Sequence, residues 1–147
     1  MAERPGSVLF ACTMTAVRSP MAEAIAKHLY GRHVYVDSVG VRKREIDGFA
    51  IAVMDEIGID LSGHRAKTFD ELEDSSFDLV ISLSPEAQHR AVEMTRTMSC
   101  ELEFWNTLDP TIVEGNRETV LGAYRGVRDG LMAGIERRFG ELRAPTV

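Results

Sequence analysis

Hydrophobic positions change period several times along the chain, and each change marks an element. Val8-Leu9-Phe10-Ala11 is a continuous apolar run ending in polar residues, the pattern of a strand buried on both faces of a parallel sheet. Ser19-Pro20 then supplies a cap and a first-turn proline, and Met21, Ala24, Ile25, His28 and Leu29 recur at helical spacing until Gly31. Val34-Tyr35-Val36 predicts a second strand, with Ser38-Val39-Gly40 turning away from it. Residues 50–57 put Ile51, Met54 and Ile57 on one helical face, with Gly58 as the stop. A polar loop over 60–68 holds His64, Arg65 and Lys67, and 69–72 adds a helical turn. A third strand is predicted over 77–81 and a helix from Ser84-Pro85 to about Met98. A short strand at 102–105, a loop with Asp109-Pro110 and Gly115, and a long helix over 120–142 complete the pattern.

Strands alternating with helices predict an α/β fold: one three-layer domain, a four-stranded parallel sheet with helices on both faces. Such sheets bind ligands outside the carboxyl ends of their strands, so the loop after the first strand is the place to look for chemistry. The chain has 147 residues, the size of one domain, with no repeat, low-complexity tract or linker, so residues 1–147 read as a single unit.

Composition mainly excludes. Seventeen Lys+Arg against 23 Asp+Glu leave a net charge of −6, which gives no global attraction to nucleic acid or an anionic membrane, and neither is expected as a partner. No apolar run approaches the ~18 residues of a spanning helix. Cys12 and Cys100, the two cysteines, are too few for a disulfide scaffold and lack zinc-ligand spacing, so no metal or cofactor is expected. Arg4 and the apolar stretch that follows resemble a signal peptide. Glu3, Pro5-Gly6 and the polar Cys12, Thr13 and Thr15 break that pattern, and a buried strand in a cytoplasmic protein is the expectation.

The segment from Cys12 to Ser19 carries the chemistry. A thiol at a strand end, an Arg six residues later and a helix start form a loop whose N–H groups at Thr13, Met14, Thr15, Ala16, Val17 and Arg18 can converge on an anion. Arg18 can fork two oxygens of a tetrahedral oxyanion. Helix end and Arg together favour the thiolate of Cys12, and Ser19 can donate to the sulfur. The alternative is a buried structural cysteine beside a solvated arginine. Arg42-Lys43-Arg44 reads as a solvated loop, or as help for an anionic substrate in an acidic protein.

The string Val8-Leu9-Phe10-Ala11-Cys12 followed by Arg18-Ser19-Pro20-Met21-Ala22-Glu23-Ala24 resembles the low-molecular-weight protein tyrosine phosphatases and the related thioredoxin-coupled arsenate reductases. The resemblance extends through Asp37-Ser38-Val39-Gly40, His64-Arg65-Ala66-Lys67, residues 77–81 and Asp109-Pro110, and the run to Asp129 is nearer the arsenate-reductase branch. It implies a Cys12 phosphocysteine, Arg18 and Ser19 supporting it, and Asp109 as general acid and then base. The bland reading of Asp109-Pro110 is a turn starter. The implied substrates are phosphorylated proteins or small phosphomonoesters, phosphotyrosine among them.

The chain departs from that pattern. The family usually has Gly-Asn where this chain has Met14-Thr15, and Thr adopts left-handed backbone only at a cost. In the family His64 helps hold the loop, usually through that Asn; a solvated loop histidine is the alternative. Val17 replaces a second cysteine, and Ser84 to Ala91 lacks the redox cysteines of the arsenate reductases. After Asp109-Pro110, Thr111 and Ile112 replace rim aromatics; Phe49 is either a wall of the site or core, and Trp105 reads as core. A phosphatase is the leading expectation. Arsenate reduction and non-catalytic oxyanion binding are the alternatives.

Overall fold

The alternation resolves into one four-stranded sheet of order β2-β1-β3-β4, every neighbouring pair parallel. The computed structural model describes residues 4–73 and 76–140. In chain order it runs β1 (Ser7–Met14), α1 (Arg18–Tyr30), β2 (Tyr35–Arg42), α2 (Gly48–Asp55), a 3-10 turn (Phe69–Glu71), β3 (Leu79–Ser82), α3 (Pro85–Met94), β4 (Glu101–Phe104), a second 3-10 turn (Pro110–Ile112) and α4 (Arg117–Phe139).

β1 is buried on both faces because its alternate side chains enter two cores. Val8, Phe10 and Cys12 join Met21 and Ile25 of α1, Met54 of α2 and Leu131 and Ile135 of α4. Leu9 and Ala11 join Val39, Val80 and Ala87 and Ala91 of α3 on the other face. That is the expected three-layer arrangement. Phe10 is fully buried and meets Trp105 edge-on at 6.3 Å, so half-buried Trp105 packs against the core without being enclosed by it. The chain leaves β1 outward to β2 and then crosses back to β3, so the crevice at the carboxyl ends of β1 and β3 is a topological switch point.

Several boundaries differ from expectation. Ser38-Val39-Gly40 does not turn: β2 continues to Arg42 beside β1, Cys12 opposite Gly40. The glycine serves close approach, since a Cβ there would lie 2.7 Å from Thr15 Cγ2 and 2.7 Å from the Arg42 carbonyl oxygen. β1 extends through Thr13 and Met14. α1 starts at Arg18, so Ser19 lies inside the first turn instead of capping it. α3 ends at Met94, and the N–H groups of Thr97 and Met98 both return to the Met94 carbonyl. α4 begins at Arg117, where the Asn116 side chain accepts from Thr119 N–H at 2.9 Å, and stops at Gly140 with φ +82°; the predicted end at Leu142 lies outside the described residues. Among the described residues no helix is long and apolar enough to cross a membrane.

Candidate active site

Cys12 is fully buried at the carboxyl end of β1. Its thiol donates to the Met14 carbonyl at 2.7 Å. Ser19 Oγ lies 3.0 Å from the sulfur, and the Ser19 N–H donates to it at 3.4 Å. Burial pushes the thiol pKa up. The Ser19 hydrogen bonds and the Arg18 charge pull it down, and the Asp109 charge adds to the rise. Burial prevails, so the thiol is shifted upward, the opposite direction to that expected from Arg18 and the helix end.

The loop explains why. Met14 still pairs with Arg42 across the sheet, Thr15 N–H donates to the Arg42 carbonyl at 3.2 Å, and Ala16 N–H donates to the Met14 carbonyl at 2.8 Å. Two of the N–H groups expected to face an anion are therefore held by carbonyls, and the Met14 carbonyl stands at the sulfur. Thr13 Oγ1 donates to Ser84 Oγ at 2.9 Å across the crevice, and buried Val17 is the N-cap of α1. Among the described residues no non-glycine residue has positive φ. Met14 thus stays on the strand and Thr15 turns without entering left-handed backbone, as side chains that disfavour that region dictate.

Arg18 is buried, and Nη1 donates to the Thr107 carbonyl at 3.0 Å, tying α1 to the segment that leads into Asp109. Asp109 is half-buried; Oδ1 accepts from Thr111 N–H at 3.0 Å and Thr111 Oγ1 at 2.7 Å, capping the second 3-10 turn. Its charge is felt by both the Cys12 thiol and Tyr124. Cys12, Arg18, Ser19 and Asp109 therefore gather at one corner of the sheet.

His64 sits behind them. Nε2 lies 3.1 Å from Ser38 Oγ and 3.2 Å from Glu23 Oε1. Glu23 also accepts from Ser38 Oγ and Lys27 Nζ. Burial pushes the Glu23 pKa up, but hydrogen bonds from His64, Lys27 and Ser38 outweigh it and bring it to about 2. Among the described residues, Thr15 Oγ1 and His64 Nδ1 are buried without a partner. The family's Asn normally links this loop position to the histidine; the Thr15 hydroxyl makes no such bond, and both atoms are stranded.

Sequence reasoning missed Glu23, Ser38 and a second hub at Asp47. Asp47 N–H donates to the Ala16 carbonyl at 3.0 Å, Oδ1 caps α2 through Phe49 N–H at 2.7 Å, and Oδ2 accepts from Tyr124 OH at 2.8 Å. The Tyr124 ring meets Phe49 at 5.4 Å. Asp47 before the helix was a legible cap; Tyr124, 77 residues away, was not. Half-buried Phe49 also lines a surface cavity with Ala16, so it is both packed and at the rim. Among the described residues no group of three His, Cys, Asp or Glu side chains could hold a metal ion.

The profile of the low molecular weight phosphotyrosine protein phosphatases matches residues 7–141. The chain belongs to this phosphatase family. It is 34% identical over 123 residues to the arsenate reductase of Halalkalibacterium halodurans, covering 83% of this chain and 86% of the relative. An arsenate reductase solved in its phosphate-binding state aligns with TM-score 0.71 at 29% identity, over 89% of this chain and 94% of that one. The Erwinia amylovora tyrosine phosphatase amsI shares the fold, with TM-score 0.73, 19% identity and 90% of each chain covered.

Topology separates the two cysteines of this family member. Ala11, Ser82 and Phe104 lie on one rung of the sheet, and Val8, Leu79 and Glu101 on another. Cys12 follows the first rung and Cys100 precedes the second, two strands away. At the usual rise the offset along the strands alone is about 16 Å, whereas a disulfide needs Cα atoms within about 7 Å.

Proposed function

We propose that this family member hydrolyses phosphate monoesters, phosphotyrosine among them. The observation that carries the reading is the gathering of Cys12, Ser19, Arg18 and Asp109 at the carboxyl end of β1. Substrate entry requires the Met14–Thr15 peptide to rotate, which removes the carbonyl from the sulfur and frees the N–H groups of the 13–18 loop for phosphate oxygens. Arg18 forks two of those oxygens. The Cys12 thiolate then forms an S–P bond as the P–O bond to the leaving group breaks, and the Asp109 carboxylic acid gives that oxygen its proton. In the second step the Asp109 carboxylate takes a proton from water, the water oxygen bonds to phosphorus, and the S–P bond breaks. Ser19 hydrogen bonds stabilise the departing thiolate. His64 supports the loop indirectly, through Glu23 on α1 and Ser38 on β2.

The relatives named arsenate reductase favour a second reading. Here Cys12 would bind arsenate, and an external thiol would attack its sulfur, forming a mixed disulfide as As(V) leaves as As(III). The external thiol is required because Cys100 is out of reach. Turnover of p-nitrophenyl phosphate and phosphotyrosine peptides between pH 5 and 7, abolished in Cys12→Ser, is expected. Thiol-dependent arsenite release without phosphatase turnover would favour the second reading, and vanadate binding with neither activity would leave an oxyanion-binding module.

A further inference from the structure

The basic run Arg42-Lys43-Arg44 divides in the fold. Arg42 forks Glu86 at 2.8 and 3.0 Å, and Lys43 meets Glu71 at 2.7 Å, so two of the three charges are spent on neighbours. The Arg44 side chain makes no hydrogen bond or ion pair among the described residues. It lines a cavity of about 720 Å³ with Ala16, Phe49 and Arg117. Arg117 is likewise without an ion pair among the described residues; its guanidinium lies 5.6 Å from the centre of the Phe49 ring. Both arginines are exposed. This cavity adjoins the candidate site, because its wall includes Ala16 of the anion loop, whose carbonyl is held by Asp47. Arg44 and Asp109 both act on the Tyr124 hydroxyl, so the cavity and the general acid share one electrostatic neighbourhood.

A bare phosphomonoester is served by Arg18 and loop N–H groups. Two further unpaired guanidiniums flanking an aromatic wall serve no part of that reaction. Resting on the phosphatase reading, we propose that Arg44 and Arg117 select substrates carrying a second anionic group beside the phosphomonoester, a carboxylate or another phosphate. Glu45 lines the same cavity and opposes that selection, and Asp47 is already engaged by helix N–H groups and Tyr124. The net preference is therefore a moderate one that salt weakens.

The test measures kcat/KM for phenyl phosphate against carboxyl-substituted phenyl phosphates, and for a phosphotyrosine peptide flanked by aspartates against its asparagine counterpart. Wild type is expected to prefer the acidic member of at least one pair by about five- to tenfold at low ionic strength, as two exposed ion pairs permit. The ratio falls to about one in the Arg44→Gln/Arg117→Gln double variant and rises in Glu45→Gln. Preference in the small-molecule pair alone identifies a small substrate; preference in the peptide pair alone identifies a protein. Equal rates within both pairs for wild type, or a ratio that survives the double variant, overturns the inference while the phosphatase reading stands. Absence of any Cys12-dependent turnover overturns both.

Discussion

The thiol of Cys12 donates to the main-chain carbonyl of Met14 at 2.7 Å. An acceptor therefore occupies the place where a phosphate oxygen needs donors, and the sulfur carries its proton. The resting loop is closed to anions, and its opening amounts to rotating one peptide whose N–H is bonded to Arg42. On the proposed reading, catalysis depends on that rotation as much as on the residues that do the chemistry.

The closed loop has a pH signature. Cys12 is raised above the ordinary thiol value of 9.0, first by burial, so the folded state favours the thiol. Its contribution to stability is complete below the unfolded thiol's pKa and is lost as pH rises through the folded one. Thiolate absorbance in wild type minus Cys12→Ser should show no step below about pH 9 in the absence of an oxyanion. A step between pH 5 and 7 would mean that the loop is already open.

Thr15→Asn should relieve two stranded atoms at once. Among the described residues, Thr15 Oγ1 and His64 Nδ1 are buried and unpartnered, and each such group costs about 1–3 kcal/mol. An amide that bonds the histidine is expected to add about 1–2 kcal/mol in urea unfolding and to raise kcat/KM. A variant no more stable than wild type would show that the two atoms are not coupled through this position.

The sheet and its order of elements were legible because β1, β3 and α1 carry unbroken hydrophobic periods. The turn placed at Ser38-Val39-Gly40 failed because the glycine serves a close approach to Thr15, a partner 25 residues away that no local signal announces. That Cys12, Arg18, Ser19 and Asp109 meet at one corner of the sheet was legible from their spacing and setting together with the family resemblance. The closed state of the loop was not, since it depends on which carbonyls lie beside Thr15 and Ala16. Glu23, Ser38 and His64 meet only in three dimensions, joining α1, β2 and the loop before the first 3-10 turn.

Glu23 should dominate part of the acid-unfolding curve. Its folded pKa of about 2 lies below the ordinary 4.5, so its contribution, about 3 kcal/mol, is present above pH 4.5 and lost as pH falls toward 2. Glu23→Gln is expected to lower stability at pH 7 by about 2–3 kcal/mol and to flatten stability between pH 4.5 and 2 relative to wild type. Parallel curves for the two proteins would remove Glu23 from the account.

Oxidation should leave Cys12 and Cys100 unlinked. Diamide treatment of the folded protein is expected to give no intramolecular disulfide on non-reducing mass analysis, because the sheet register holds the thiols apart. Cys100→Ser should leave any arsenite release with an external thiol unchanged. A Cys12–Cys100 cross-link formed without unfolding would contradict the register.

In the proposed mechanism Cys12 carries the phosphoryl group and Asp109 moves the protons. Acid quench of Asp109→Asn during turnover of an aryl phosphate, followed by peptide mass analysis, tests it most directly. One phosphoryl group is expected on the Cys12 peptide, with turnover slowed about 100-fold or more for a poor leaving group and abolished in Cys12→Ser. Turnover that persists in Cys12→Ser, with no phosphoryl group on that peptide, would contradict it.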